Sequence, residues 1–301
     1  MLRFHIHDVF TTRPFAGNPL AIVEGADALT DAQMQTIARQ FNLSETIFLQ
    51  RPDDPAHTAK VRIFTPGAEI PFAGHPTIGC ALFLAARDGL SHVTLEEVAG
   101  LVPVTIADAA EGPVAEFTAP RLPARIGRTP APATVAAAIG LAEGDIGPHA
   151  PGAFEGGPAF LFAQVTDLDA LARARPAEPG WSALLDETAI DDRGRSPVGL
   201  YVYAADAQCD YRGRMFAPHD GIPEDPATGS ATAILSAQLL ANGALRDGSN
   251  VLALRQGVEM GRPSALRLTV EVAAGALREI RVAGASRPVA EGTIRAPDAR
   301  G

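Results

Sequence analysis

Residues 63–84, IFTPGAEIPFAGHPTIGCALFL, and residues 215–237, MFAPHDGIPEDPATGSATAILSA, read as two copies of one unit: a strand, a Pro/Gly-bounded loop, and an apolar helix opened by small residues. Phe64, Pro66, Ile70 and Pro71 match Phe216, Pro218, Ile222 and Pro223 at a spacing of 152 residues, and after three extra residues Gly74 and Thr77 match Gly229 and Thr232 at 155. That spacing is close to half of the 301-residue chain. The repeat therefore predicts two related domains, not a solenoid of short units. Each copy ends at a helix N-terminus, where backbone N–H groups have no intrahelical partner and attract anions. Two such ends facing one cleft would hold a small substrate with a carboxylate or similar group. Either glycine alone could simply make the turn into a packed helix; it is their pairing that suggests a site.

Composition narrows the function. The chain is 47% hydrophobic with a net charge of −10 and 6% aromatic residues, and its pI is about 5.2. It has no run of basic residues, so a nucleic-acid partner is not expected. The start, MLRFHIHDVF, lacks the plan of a signal peptide and no 18-residue apolar stretch follows, so a cytoplasmic protein without a membrane partner is expected. Lys60 is the only lysine among 25 lysines and arginines, and it lies in the alternating strand AKVRIF. A Schiff-base lysine and a P-loop lysine are thus missing, as is a GxGxxG turn, and no cofactor is implied. Cys80 and Cys209, the only cysteines, read as free buried thiols. His5 and His7 share a strand face, a pattern more often surface than ligand, and no metal is expected.

Along the chain, LRFHIHDVFTT and AGNPLAIV read as strands. Thr30 and Gln33 form a capping box ahead of Met34, Ile37, Ala38 and Phe41 at helical spacing. LSETIFLQ continues as a strand, with further strands at 60–64, 93–95, 101–106 and 114–118. PTIGCALFLAA and SATAILSAQLLA are apolar nearly all round, as suits helices enclosed by strands. PRLPARIGRTPAP, residues 120–132, reads as a linker. A short helix at 133–139 follows, then strands near 159–165, 198–204, 211–216, 252–255 and 266–272. Terminal strands are expected at 278–282 and 292–295, the last of unassigned domain. The domains expected are 1–119 and 120–301.

The halves differ in their ionisable groups. Continuing the spacing of 152 backwards sets Asn42-Leu43-Ser44-Glu45-Thr46 against Gly194-Arg195-Ser196-Pro197-Val198. Ser44 then has a counterpart in Ser196, whereas Glu45 is answered by Pro197. A carboxylate at the mouth of the apolar strand TIFL is partly desolvated, which favours its protonated form and suits acid/base work at neutral pH. His75 follows Gly74, whereas Ser230 follows Gly229 beside an inserted acidic turn, Glu224-Asp225-Pro226. A histidine and a carboxylate are the groups that proton transfer uses.

Five ordered segments, DVFTTRPFAGNPLAIV, NLSETIFL, FTPGAEIPFAGHPTIGCA, MFAPHDGIPEDPATGSA and QGVEMGRPSAL, carry a resemblance to the phenazine-biosynthesis isomerase-like, or PhzF-like, family over almost the whole chain. The family is similar in fold to diaminopimelate epimerase. The resemblance implies an α+β architecture of two pseudo-symmetric domains, each a curved, barrel-like mixed sheet around a central apolar helix, and a homodimer. In the epimerases a cysteine precedes each glycine; here Ala73 and Thr228 stand there, and a two-thiol mechanism is not available. The family resemblance implies instead Glu45 as general acid/base with His75 and Asp225 as further catalytic groups. It also implies substrate contacts from Asn18, Ser44, Gly74, Thr228, Gly229 and Ser230. The activity implied is cofactor-independent proton relocation in a small cyclic unsaturated acid such as trans-2,3-dihydro-3-hydroxyanthranilate. The alternatives are an epimerase or racemase of an amino or hydroxy acid, and a non-catalytic binder of a small acid.

Overall fold

The computed structural model describes residues 1–190 and 196–298; Gly194 and Arg195, set against Asn42 and Leu43 above, lie outside the described residues. The chain divides into two compact units, Met1–Pro120 with the chain from Val282 onward, and Arg121–Arg281. Unit 1 runs through β1 (Leu2–Val9), β2 (Asn18–Val23), α1 (Asp31–Phe41), β3 (Glu45–Gln50), β4 (Ala59–Phe64), β5 (Glu69–Ile70), α2 (Gly74–Asp88), β6 (His92–Glu97), β7 (Gly100–Ala107) and β8 (Val114–Thr118). Unit 2 contains β9 (Ala124–Arg125), α3 (Pro132–Ala138), β10 (Gly152–Glu155), β11 (Ala159–Gln164), α4 (Leu168–Arg173), α5 (Gly180–Glu187), β12 (Gly199–Asp206), β13 (Cys209–Ala217), β14 (Ile222–Asp225), α6 (Gly229–Ala241), β15 (Gly248–Gln256) and β16 (Ser264–Ala273). β17 (Ala276–Ile294) begins in unit 2 and ends in unit 1.

Each unit is a mixed sheet around one helix, an α+β fold. In unit 1, β2 and β3 run parallel, as do β4 and β6, while β3 with β4 and β6 with β7 are antiparallel. Unit 2 repeats the plan: β11 with β12 and β13 with β15 are parallel, β12 with β13 antiparallel. α2 packs against β1, β2, β3, β6, β7 and β8, so every residue from Gly74 to Leu82 is buried. α6 packs on β10, β11 and β16, and its faces are buried from Ala231 to Leu239. Enclosure explains why both helices lack a polar stripe. α1, by contrast, is a surface helix with Met34, Ile37 and Ala38 turned inward, closed at its start by the Thr30–Gln33 capping box and at its end by Asn42 in the left-handed conformation.

Several expectations need revision. The two terminal strands are one, β17, whose later residues pair antiparallel with β1 from Leu2↔Ile294 to Val9↔Ser286. Pro288 lies within it, beside a bulge in that ladder between Ile6 and His7, where a missing N–H donor is tolerated. The segment 120–132 is not only linker, since β9 pairs with β10 and Arg125 stacks over Phe154. Cys209 is half-buried, not buried, because it starts β13, while Cys80 lies inside α2; both are free. α4, α5 and β10 carry too few residues to show a period. Among the described residues no helix is long and apolar enough to cross a membrane.

Candidate active site

In unit 1, three expected residues meet. Gly17 turns the chain into β2 at φ 68, and a Cβ there would lie 2.2 Å from the Val9 carbonyl, so only glycine makes this turn. The Asp8 carboxylate accepts from the Phe15 N–H at 2.6 Å and ties down the same loop. Asn18 then starts β2, and its side chain points at α2. β2 and β3 are parallel with Leu20 beside Glu45, so Glu45 begins its strand near Asn18. His75, the second residue of α2, completes the group: its Nδ1 lies 3.3 Å from Glu45 Oε2 and 3.3 Å from Asn18 Nδ2.

Burial decides the character of this contact. His75 is 3% exposed, and burial pushes its pKa down to about 3, a bond to the Pro19 carbonyl opposing the shift only in part. The ring is neutral at ordinary pH. The pair is therefore a carboxyl beside a neutral imidazole, not an ion pair, and Nδ1 is the nitrogen that faces it. Ser44, half-buried, precedes Glu45; Gly74 is the buried first residue of α2.

In unit 2, Asp225 ends β14 and is 5% exposed. Its Oδ2 accepts from the Thr228 hydroxyl at 2.6 Å. Thr228 is the residue before α6, Gly229 opens that helix, and the half-buried Ser230 follows. One residue absent from the sequence-based set fixes this turn. Gln256, at the end of β15 and wholly buried, accepts from the Thr228 N–H at 3.1 Å and donates to the Asp225 carbonyl at 2.8 Å. Its place at the head of QGVEMGRPSAL was visible, but nothing in that segment indicates which loop it would bond.

Strand register corrects the matching of the halves. Arg62 stacks over Phe64 and forks onto Glu69; Arg214 stacks over Phe216 and forks onto Glu224. Ile63 pairs with Ile70, and Met215 with Asp225. Glu69 thus corresponds to Glu224, Ile70 to Asp225, and Pro71 to Pro226. The three extra residues lie in the β13–β14 turn, and the acidic pair is not an insertion. The repeated Ile-Pro dipeptide concealed this, because Ile222-Pro223 imitates Ile70-Pro71. Likewise Thr46 pairs with Phe64 and Leu200 with Phe216. Glu45 therefore corresponds to Gly199 and Ser44 to Val198, not to Pro197 and Ser196. A Cβ at Gly199 would stand 2.6 Å from the Phe216 carbonyl oxygen, so unit 2 has no room for a side chain where unit 1 carries its acid.

The model of the family described as "Phenazine biosynthesis-like protein" matches residues 7–292. A protein of Mesorhizobium japonicum, named an uncharacterized isomerase, is 38% identical over 96% of this chain and 97% of its own. The trans-2,3-dihydro-3-hydroxyanthranilate isomerase of Pseudomonas fluorescens is 33% identical over 98% of this chain and 99% of its own. The crystal structure of a Bacillus anthracis phenazine biosynthesis protein of the PhzF family superimposes with a TM-score of 0.85 at 25% identity, covering 98% of this chain and 99% of that one.

Proposed function

The chain belongs to the phenazine biosynthesis-like family and is an isomerase of the PhzF type, and from that premise we propose that it moves a proton within a small cyclic unsaturated acid of the trans-2,3-dihydro-3-hydroxyanthranilate kind, with Glu45 as general acid/base and no cofactor. The observation that carries this reading is the placement of Glu45 at the mouth of β3, 3.3 Å from a buried imidazole. A neutral neighbour adds no positive charge beside Glu45. The carboxylate takes a proton from an acidified carbon and, as the acid, returns it on the same face to another carbon of the conjugated system. The buried His75 ring beside Glu45 Oε2, itself held by Asn18, keeps the carboxyl in one orientation between the two transfers, which general acid/base catalysis requires. The reading assigns the substrate's acid group to backbone N–H groups at a helix N-terminus, which favour negative charge as it develops.

The test is incubation of the protein in D₂O with trans-2,3-dihydro-3-hydroxyanthranilate, followed by absorbance and mass spectrometry, with Glu45→Gln alongside. Loss of the substrate's absorbance with deuterium uptake that depends on Glu45 is the expected result. Deuterium at a stereocentre without movement of a double bond would replace this reading with an epimerase. Turnover by Glu45→Gln at the rate of the unaltered protein would remove Glu45 from the chemistry.

A further inference from the structure

The register that relates the two units brings together two residues that no catalytic reading uses. β4 and β13 correspond with Ala59 matching Tyr211, and each runs parallel to the strand that follows its central helix, β6 after α2 and β15 after α6. Ala59 pairs with Leu95, and Tyr211 with Leu254. Glu97 therefore occupies in unit 1 the position that Gln256 occupies in unit 2. Both are buried, at 7% and 0% exposure, and both bond residues at the start of the central helix. Gln256 holds Thr228. Glu97 Oε1 lies 2.7 Å from the Thr77 hydroxyl of α2.

Proton counting shows what form Glu97 takes. The Thr77 hydroxyl is also 2.8 Å from the Ala73 carbonyl, the residue just before Gly74 and His75. A hydroxyl has one proton and cannot donate to both oxygens. If it donates to Ala73, the proton between Glu97 and Thr77 must come from Glu97. A protonated carboxyl is the acid equivalent of the donor that the Gln256 amide supplies in the other unit. We propose that Glu97 is a positioning residue held as a neutral carboxylic acid, donating to Thr77, which in turn donates to the Ala73 carbonyl and so fixes the backbone that presents His75.

The surroundings agree. Burial pushes the Glu97 carboxyl up to about 8, the Thr77 bond opposing it only in part, and its Oε2 makes no hydrogen bond. Among the described residues no cation is paired with Glu97. On β6 itself Glu96 is turned away, to His57 and the N–H groups of Asp53 and Asp54. On β4, Lys60 bonds Asp53, and Arg62 bonds Glu69 and Asp31. β7 sets Gly100 opposite Glu97. From α2, the titratable group that faces it is the Cys80 thiol, which burial and Glu97 together push up.

Ionisation of Glu97 would reverse the Thr77 bond, draw its proton away from Ala73 and loosen the backbone before His75. Two measurements on the whole protein test this without any substrate. The first is carbon-13 titration of the glutamate carboxyl carbons, with Glu97 assigned from the spectrum of Glu97→Gln. A midpoint well above the ordinary carboxylate range is expected, and a midpoint near that of an exposed glutamate would overturn the proposal. The second compares thermal unfolding of the two proteins from about pH 5 to about pH 9. Glu97→Gln is expected to match the unaltered protein at the acid end and to exceed it by several degrees at the alkaline end. A variant that melts lower by the same amount at every pH would overturn it. A third measurement rests on the isomerase reading: the alkaline fall of kcat/KM moves upward in Glu97→Gln. Should no substrate turn over, the first two measurements still decide the role of Glu97.

Discussion

The two helix entrances share a framework and differ in nearly every group that can exchange a proton. Both have an arginine stacked over a phenylalanine and forked onto a glutamate, then a proline, a glycine and a helical threonine. Within that frame unit 1 has Glu45, Ile70, Ala73, His75 and Glu97 where unit 2 has Gly199, Asp225, Thr228, Ser230 and Gln256. The unit 1 entrance pairs a carboxyl with an imidazole and rests on an acid; the unit 2 entrance is a hydrogen-bonded turn resting on an amide. What the backbone needs is common to both halves, and what chemistry needs is found at the differences.

The strongest way to break this comparison is to remove the acid of unit 1. Glu45→Gln keeps the shape of the side chain but not its proton transfer, and general acid/base catalysis contributes about 10²–10⁴ in rate. A loss of kcat in that range with an unchanged unfolding temperature is expected. A large loss of stability would make Glu45 structural.

Next in size is the shared arginine. Arg214 donates from Nη1 to the carbonyls of Leu171, Ala172 and Ala174 at the end of α4 while its other nitrogens hold Glu224. Its side chain is 9% exposed, against 19% for Arg62. Arg214→Met leaves a carboxylate and several carbonyls without their donor in a buried place, a change that costs about 3–5 kcal/mol. Arg62→Met opens a pair nearer the surface, and about 1 kcal/mol is expected. Chemical denaturation of both variants checks the contrast. Equal losses would mean that the stacked arginine matters and its burial does not.

Gly199 sets a smaller effect. Gly199→Ala places a methyl 2.6 Å from a backbone oxygen and 3.0 Å from Met215 Sδ. Overpacking of this kind costs about 1–3 kcal/mol, whereas Glu45→Ala is expected to leave stability almost unchanged. The difference between the two unfolding curves measures how far the units have diverged at one position.

How much of this could be read in the chain depended on the range of the signal. The repeat was legible because it is written in local patterns: Phe and Pro spacing, small-residue turns, and helices apolar on every side. The grouping of Asn18, Glu45 and His75 followed only through the family motifs, since the three are far apart in sequence and meet through the parallel pairing of β2 and β3 and the packing of α2 on both strands. The true partner of Glu45 was not legible, because matching identical residues selected Ile222-Pro223 while the Arg–Glu forks select Glu224-Asp225. Glu97 was half legible: in VTLEE it alternates with Val93 and Leu95, which places it on the buried face. That it would bond Thr77 needed the helix in position.

The smallest and sharpest test exchanges the supports in the opposite direction. Gln256→Glu keeps an oxygen for the Thr228 N–H but removes the amide donor that serves the Asp225 carbonyl. If the introduced carboxyl stays protonated, that donor is restored and the cost is small. If it ionises, it adds charge close to the Asp225 side chain, which already accepts from Thr228 at 2.6 Å. Burial raises the folded-state pKa of such a carboxyl above its unfolded value, so its favourable contribution is complete below the unfolded pKa and is lost as pH rises through the folded one. Gln256→Glu is therefore expected to cost less than about 1 kcal/mol near pH 4 and a few kcal/mol by about pH 8. Hydrogen exchange along α6 would locate the loss at its first turn. A loss of the same size at both pH values would show that the turn in unit 2 reads the shape of its support and not its protonation, and the likeness to Glu97 would then end at register.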